Sequence, residues 1–259
     1  MDAIVIAGGV PRPDEPLYEL TQGQPKALLD IAGKPMIQWV LDALSGSQEV
    51  ERVVIIGLSD DNDLTCSKPM VYHPSQGEML ANILFGVKKV LEFSPNARHV
   101  LVASSDIPAI SAAMVDWIIC NAMQTDHDIY YHVISREVME ARFPGSKRTY
   151  THLKDVEVCG GDLNVIRTLT ATGRDDFWNK VIASRKNALA QASLVGWDVL
   201  LGVLLRQITL EQAVEKVSQR VGLNGRAVLC PYAEVGMDVD KPYQYDLVRL
   251  DLEKRLKSG

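Results

Sequence analysis

Three stretches of this 259-residue chain hold residue types that could handle a phosphate and a cation. Ala7-Gly8-Gly9 closes an apolar run and is followed, after a loop, by Gln24-Pro25-Lys26-Ala27-Leu28-Leu29. Glycines behind a first strand let backbone N–H groups approach an anion, and a lysine beyond the loop can place a mobile positive charge on a phosphoryl oxygen. Taken alone, the glycine pair also reads as a tight turn. It is not a P-loop, because no Gly-Lys-Ser/Thr follows, and it lacks the G-x-G-x-x-G of dinucleotide folds. In the second stretch, Ser104-Ser105-Asp106-Ile107-Pro108, an acid sits at the end of a strand-like run. A carboxylate there can hold Mg²⁺, which takes hard oxygen ligands and shares them with phosphates; the alternative is a cap or turn acid. The third stretch is Gly236-Met237-Asp238-Val239-Asp240-Lys241-Pro242. Two carboxylates two residues apart in an extended segment point the same way, and a divalent cation shared with Asp106 would neutralise them. A solvated acidic turn is the alternative reading.

The elements around these stretches alternate. Ala3 to Ala7 reads as a strand buried on both faces, and Arg52 to Gly57 as a second. Between them Met36, Ile37, Val40, Leu41 and Leu44 fall at helical spacing behind Pro35, which suits a first helical turn. A helix from about Met79 to Leu91, a strand from His99 to Asp106 and another from Ile129 to Ile134 continue the series. Right-handed β-α-β crossovers then predict an open, mostly parallel α/β sheet with helices on both faces and ligands at the carboxyl ends of its strands. From Asp175 to Gly222 the chain reads as helical, with a capping-box spacing at Thr209 and Gln212 and a stop at Gly222. It returns through Ala227-Val228-Leu229 and closes with a helix from about Gln244 to Leu256.

Composition narrows the partners. Lys plus Arg is 27 against 33 Asp plus Glu, a net charge of −6, which lacks the basic excess of a duplex-binding surface. The longest apolar run, Leu194 to Leu205, contains Asp198 and is shorter than the roughly 20 residues of a bilayer crossing. Neither nucleic acid nor membrane is expected as a partner. Cys66, Cys120, Cys159 and Cys230 show no zinc-ligand spacing and read as reduced, mostly buried thiols. With no signal-peptide pattern at Met1-Asp2, a cytoplasmic protein is expected. The five histidines share no ligand spacing.

Taken together, Ala7-Gly8-Gly9, Pro25-Lys26-Ala27-Leu28-Leu29 with Gly33-Lys34-Pro35-Met36, Ser105-Asp106-Ile107-Pro108 and Asp238-Val239-Asp240-Lys241-Pro242 resemble the MobA-like nucleotidyltransferase superfamily of molybdenum-cofactor guanylyl- and cytidylyltransferases, with sugar-phosphate relatives. The resemblance implies a Rossmann-like, three-layer α/β/α sheet of glycosyltransferase-A type. It also implies a Mg²⁺-dependent transfer of NMP from an NTP to a small phosphorylated acceptor, with release of pyrophosphate. Ala7, Gly8 and Gly9 would line the nucleotide, Lys26 would hold its phosphates, and Asp106 with Asp240 and Asp238 would bind the metal. Pro74 to Asn82 looks like the family's second nucleotide loop, with Gly77 and Asn82 nearest the base or ribose. The family loop reads Gly-Gly-x-Gly or Ser, x, Arg; here Val10-Pro11-Arg12-Pro13 follows Gly9, so Arg12 would take the arginine's part at an offset of one. The Asp-Val-Asp ending is similar to that of cytidylyltransferases, and CTP or GTP is the expected nucleotide.

Residues 1–259 thus read as one nucleotidyltransferase domain: a nucleotide-binding half at 1–135, an acceptor-side elaboration covering the site at 136–226, and a metal-binding return segment with a helix at 227–259. Arg142, Lys147, Arg148, Arg185 and Lys186 are cationic candidates for the acceptor phosphate, and Gly160-Gly161-Asp162 resembles a turn that faces the sugar in sugar-phosphate relatives. Cys159 beside it reads as packing. Two rivals stay open: a glycosyltransferase of the same sheet type that uses a preformed nucleotide-sugar, and a nucleotide-binding regulatory protein without catalysis.

Overall fold

The computed structural model describes residues 1–184 and 195–258. Its centre is a sheet in the order β5 (Met70–His73), β4 (Arg52–Ile56), β1 (Asp2–Ile6), β6 (His99–Ser104), β10 (Leu163–Arg167), β7 (Ile129–Ser135), β9 (Glu157–Gly160), β8 (Thr151–His152), with β11 (Gly225–Leu229) pairing β7, while β2 (Asp30–Ile31) and β3 (Lys34–Pro35) form a separate antiparallel pair. Four strands of the amino-terminal half run parallel: β5 (Met70–His73), β4 (Arg52–Ile56), β1 (Asp2–Ile6) and β6 (His99–Ser104). In β1 the alternation of side chains explains the layering. Ala3 and Val5 enter one hydrophobic core and Ile4 enters a second on the opposite face.

Each face is covered by helices whose sequences carry the matching stripe. Helix α2 (Met36–Gly46) follows the short α1 (Tyr18–Thr21) and buries Met36, Ile37, Val40, Leu41 and Leu44 on the first face. Each such side chain contributes about 1.5–3 kcal/mol by leaving water. Pro35 lies just outside this helix, as its cap, rather than in its first turn. Helix α4 (Ala112–Ala122) joins α2 on that face, and α3 (Met79–Phe93) packs Val87 and Val90 on the other, giving three α/β/α layers.

The carboxyl-terminal half breaks the parallel pattern. β7 (Ile129–Ser135) pairs in parallel with β11 (Gly225–Leu229), but β10 (Leu163–Arg167) enters antiparallel between β6 and β7. β9 (Glu157–Gly160) also pairs antiparallel with β7 and carries the edge strand β8 (Thr151–His152). α5 (Arg136–Arg142) follows β7. Within the segment expected to be helical, α6 (Asp175–Ser184), α7 (Trp197–Leu204) and α8 (Leu210–Val221) are observed. Thr209 and Gln212 form the expected capping box, and Gly222 is the left-handed cap. A final helix, α9 (Pro242–Ser258), returns Val248 and Leu252 to the first core.

Two expectations change. Residues 237–240 are not a strand: a 3-10 turn over Ala233–Gly236 leads into an irregular segment held by the Val239 N–H donating to the Asp106 carbonyl at 2.9 Å. Of the cysteines, Cys159 and Cys230 are buried, but Cys66 is half-buried and Cys120 exposed. Burial pushes the Cys230 thiol up to about 11, and the Cys159 thiol in the same direction. No described helix is long and apolar enough to cross a membrane.

Candidate active site

The glycine turn after β1 is compressed between two other loops. Ala7 donates its N–H to Ile56 at 2.8 Å, which brings Gly57, at φ 112°, against the backbone of Gly8. A side chain on Gly57 would collide with Gly8. On its other side Gly8 faces Ser75 and Asn82. Asn82 is buried in the first turn of α3, and its Oδ1 accepts the Gln76 N–H at 2.5 Å, so it shapes the loop that carries Gly77. The structure thus places Gly8 against Ser75 and Asn82 of the 74–82 segment. Ser75 and Gly57 share in this packing, and nothing in their local sequence marks them.

The carbonyl of Gly9 accepts the Lys26 N–H at 2.8 Å and so ties the lysine to the glycine turn. From a single 3-10 turn (Lys26–Leu28) the Lys26 side chain reaches between two acids. Its Nζ stands 2.5 Å from Asp106 Oδ2 and 2.6 Å from Asp240 Oδ1. Burial alone would lower the Lys26 pKa; the attraction of Asp106 and Asp240 outweighs it and holds the ammonium above the usual lysine range. Asp106 lies just past β6, and among the described residues its buried Oδ1 finds no hydrogen-bond partner. The Asp240 N–H donates to Gln244 Oε1 at 3.0 Å, which fixes the return segment at the start of α9.

Asp238 faces a different partner: its carboxylate is ion-paired with Arg148, and both side chains are largely buried. Arg148, expected on the acceptor side, therefore sits beside the return segment that carries Asp238 and Asp240. Asp162 completes the cluster. Burial, with the carboxylates of Asp106 and Asp240 adding to it, pushes its carboxyl up to about 7 against the pull of Arg148 and Lys26. Among the described residues four carboxylates, Asp106, Asp162, Asp238 and Asp240, thus interact with two cations, Lys26 and Arg148, an acidic excess suited to a further cation.

A bulge delivers Asp162. β9 and β10 both pair with β7, but the register moves from Gly160↔Val133 to Val165↔Tyr130, so residues 161–164 stand opposite Tyr131 and His132 alone. Asn164 fills the interrupted ladder: its Oδ1 accepts the His132 N–H at 2.8 Å and its Nδ2 donates to the Gly161 carbonyl at 2.8 Å. Such bulges redirect side chains beside active sites. Gly161 is thus a hinge of this bulge, and Asn164 is a positioning residue that local sequence does not disclose.

The remaining candidates lie elsewhere. Arg12 is exposed and binds Glu15 within its own loop. Arg142 is taken up by Glu234 and Asp251, clamping α5 to α9, and is no longer an acceptor candidate. Lys147 stacks over the Tyr243 ring. Arg185 and Lys186 fall outside the described residues. Of the 136–226 segment, helices α7 and α8 pack on the β7–β9–β11 part of the sheet.

A family model for the MobA-like NTP transferase domain matches residues 3–188. The chain belongs to this family. As a MobA-like NTP transferase it is a nucleotidyltransferase of the EC 2.7.7 type. A solved structure described as a hypothetical transferase from Thermus thermophilus is 32% identical over 94% of this chain and 98% of its own, with a TM-score of 0.81. CMP:2-keto-3-deoxy-manno-octonic acid synthetase complexed with CTP is 15% identical, with a TM-score of 0.59 over 98% of this chain and 99% of that one. The 4-diphosphocytidyl-2C-methyl-D-erythritol synthase of Anaerococcus prevotii is 12% identical, with a TM-score of 0.60 over 97% of each chain. These last two share the fold of this MobA-like transferase. No curated protein matches its sequence.

Proposed function

We propose that the chain transfers NMP from CTP or GTP to a small phosphorylated acceptor. An acceptor phosphate oxygen attacks the α-phosphorus, a new P–O–P linkage forms, the α–β bridge breaks, and pyrophosphate leaves with the electron pair. The observation that carries this reading is the Lys26 ammonium held between Asp106 and Asp240 beside the glycine turn. Two anions must meet in this reaction, so the protein's task is to position them and offset their charge. Gly8 and Gly9 line the nucleotide, with Asn82 and Gly77 shaping the second loop toward base and ribose. Lys26 is the mobile cation for the phosphates.

The donor set fits Mg²⁺. Asp106 offers a buried oxygen that has no hydrogen-bond partner among the described residues, and Asp240 offers a second carboxylate. Among the described residues no group of three or more His, Cys, Asp and Glu side chains is placed to hold a metal ion by itself. Mg²⁺ is ordinarily held by one or two carboxylates, with substrate phosphates and water supplying the rest. Asp106 and Asp240 would hold the ion, whose positive charge would offset that of the phosphate oxygens. Asp238 serves by holding Arg148, and Arg148, Asp162 and Gly161 form the acceptor side. The cytoplasm is the expected compartment.

Thermal denaturation with each of the four NTPs and Mg²⁺ tests the reading, because a ligand that binds only the folded chain raises stability by RT ln(1 + [L]/Kd). CTP or GTP should raise the Tm, Mg²⁺ should be required, and Asp106→Asn should remove the Mg²⁺-dependent part. An Asp106→Asn protein stabilised as well as the wild type would refute the metal role.

A further inference from the structure

Helix α8 carries Leu210, Ala213, Val214, Val217 and Val221 on one stripe, the spacing of a helix that packs on a sheet. Leu210, Ala213 and Val217 pack partly on the sheet cluster of Val133, Leu153 and Val158, yet none of the helix's residues is fully buried, whereas α2, of similar length, buries seven. The gap is not fraying. At one end Leu210 donates its N–H to Asp155 at 3.1 Å and Lys154 donates to the Ile208 carbonyl at 3.0 Å; at the other Gly225 donates to Ser218 Oγ at 3.1 Å. The helix is held by both ends over the face of β7, β9 and β11.

Beneath it lies a cavity of about 370 Å³, walled on the sheet side by Val133, Leu153 and Val158 and on the helix side by Val214 and Val217. The space is open to solvent on one side and lined almost wholly by apolar side chains, and clefts of about 300–1,000 Å³ with such a lining are the usual seats of apolar ligand groups. The cavity runs up to Tyr131 and Gly160, whose faces touch: a side chain on Gly160 would strike the Tyr131 hydroxyl. Gly160 is followed directly by Gly161 and Asp162, and the Tyr131 hydroxyl lies within the electrostatic reach of Asp162 and Arg148. The apolar space therefore opens beside the acceptor side of the site.

We propose that this cavity receives the hydrocarbon chain of an amphiphilic acceptor whose phosphate lies at Arg148, so that the acceptor class is a phosphate monoester with an apolar tail. The proposal rests on the nucleotidyltransferase reading of the same site. The test is calorimetric titration of the full chain with n-alkyl phosphates from ethyl to octyl, below their micelle concentrations, with n-octanol as the headless control. Each added methylene should tighten Kd about four-fold, the equivalent of about 0.8 kcal/mol, until the cavity is full. Octanol should bind far more weakly than octyl phosphate. Ala213→Trp, and independently Val217→Phe, should flatten the chain-length series while nucleotide binding, read on the same samples, is retained and reports the folded state. Equal affinity for ethyl and octyl phosphate, a chain-length trend that survives both cavity-filling variants, or octanol binding as tightly as octyl phosphate would each overturn it. Failure of the nucleotide reading appears instead in the NTP titration of the wild type, which the alkyl series does not touch.

Discussion

Lys26 and Asp240 are separated by 214 residues in the chain, and the ammonium of one stands 2.6 Å from the carboxylate of the other. The lysine leaves the glycine turn after β1, and the acid arrives on the return segment that Val239 ties to Asp106. In this arrangement the single positive charge of the lysine offsets half the charge of the two carboxylates proposed to hold the metal.

Lys26→Met should therefore separate two functions. With the ammonium gone, Asp106 and Asp240 repel, and a divalent ion becomes their natural neutraliser. Affinity for Mn²⁺ or Mg²⁺ without nucleotide should rise, while transfer, followed by pyrophosphate release, should fall by roughly 10²- to 10³-fold, as on losing one transition-state donor. Unchanged transfer in Lys26→Met would remove the lysine from the reaction.

Gly57→Ala tests the wall of the nucleotide loop. At φ 112° an alanine is strained, and its methyl would meet the Gly8 backbone, which has little room to retreat because Ser75 and Asn82 stand behind it. A cost of about 1–3 kcal/mol is expected from the backbone conformation alone, with a lowered Tm and weakened NTP binding. A variant with wild-type Tm and NTP affinity would show that the two loops are not in contact in solution.

What the sequence discloses divides along the sheet. β1, β4, β6 and the helices α2 and α3 are read correctly because each is an apolar run or stripe that local periodicity reports, and Thr209-x-x-Gln212 names its own cap. The antiparallel insertion of β10 was not visible, since pairing partners and register are long-range properties. For the same reason Asn164 went unmarked: its role comes from a two-residue register shift against β7, not from its neighbours in sequence. Lys26, Asp106 and Asp240 were legible only in combination, as separate motifs whose meeting point lies in the fold. Arg142 shows the converse error, a cation beside a Pro-Gly turn that in three dimensions is satisfied by Glu234 and Asp251.

Asn164→Asp keeps an acceptor for the His132 N–H but places a carboxylate oxygen where Nδ2 donated to the Gly161 carbonyl. Leaving that carbonyl unpaired should cost about 1–3 kcal/mol and let the bulge relax. Because Asp162 rides on the bulge, transfer should fall more than nucleotide binding, which depends on loops at the other end of the site. An equal loss of both would mean that Asn164 acts only through global stability.

His132 sets a pH limit on the fold. Its ring is fully buried, with Trp117 edge-on beside it, and burial lowers its pKa from 6.5 to about 4. The folded chain keeps the ring neutral where the unfolded chain would protonate it. The unfolded state therefore binds more protons between these values, and stability falls as pH drops from about 6.5 toward 4. The full loss is on the order of 3 kcal/mol. Asp162 acts with the opposite sign: its carboxyl is raised to about 7, so its contribution improves as pH falls from that value. Comparing wild type with His132→Gln at each pH cancels Asp162 and every other shared group. Urea unfolding free energies should converge as pH is lowered from 7 to 4.5, the wild type losing more than the variant. Parallel curves would show that His132 does not stay neutral on folding.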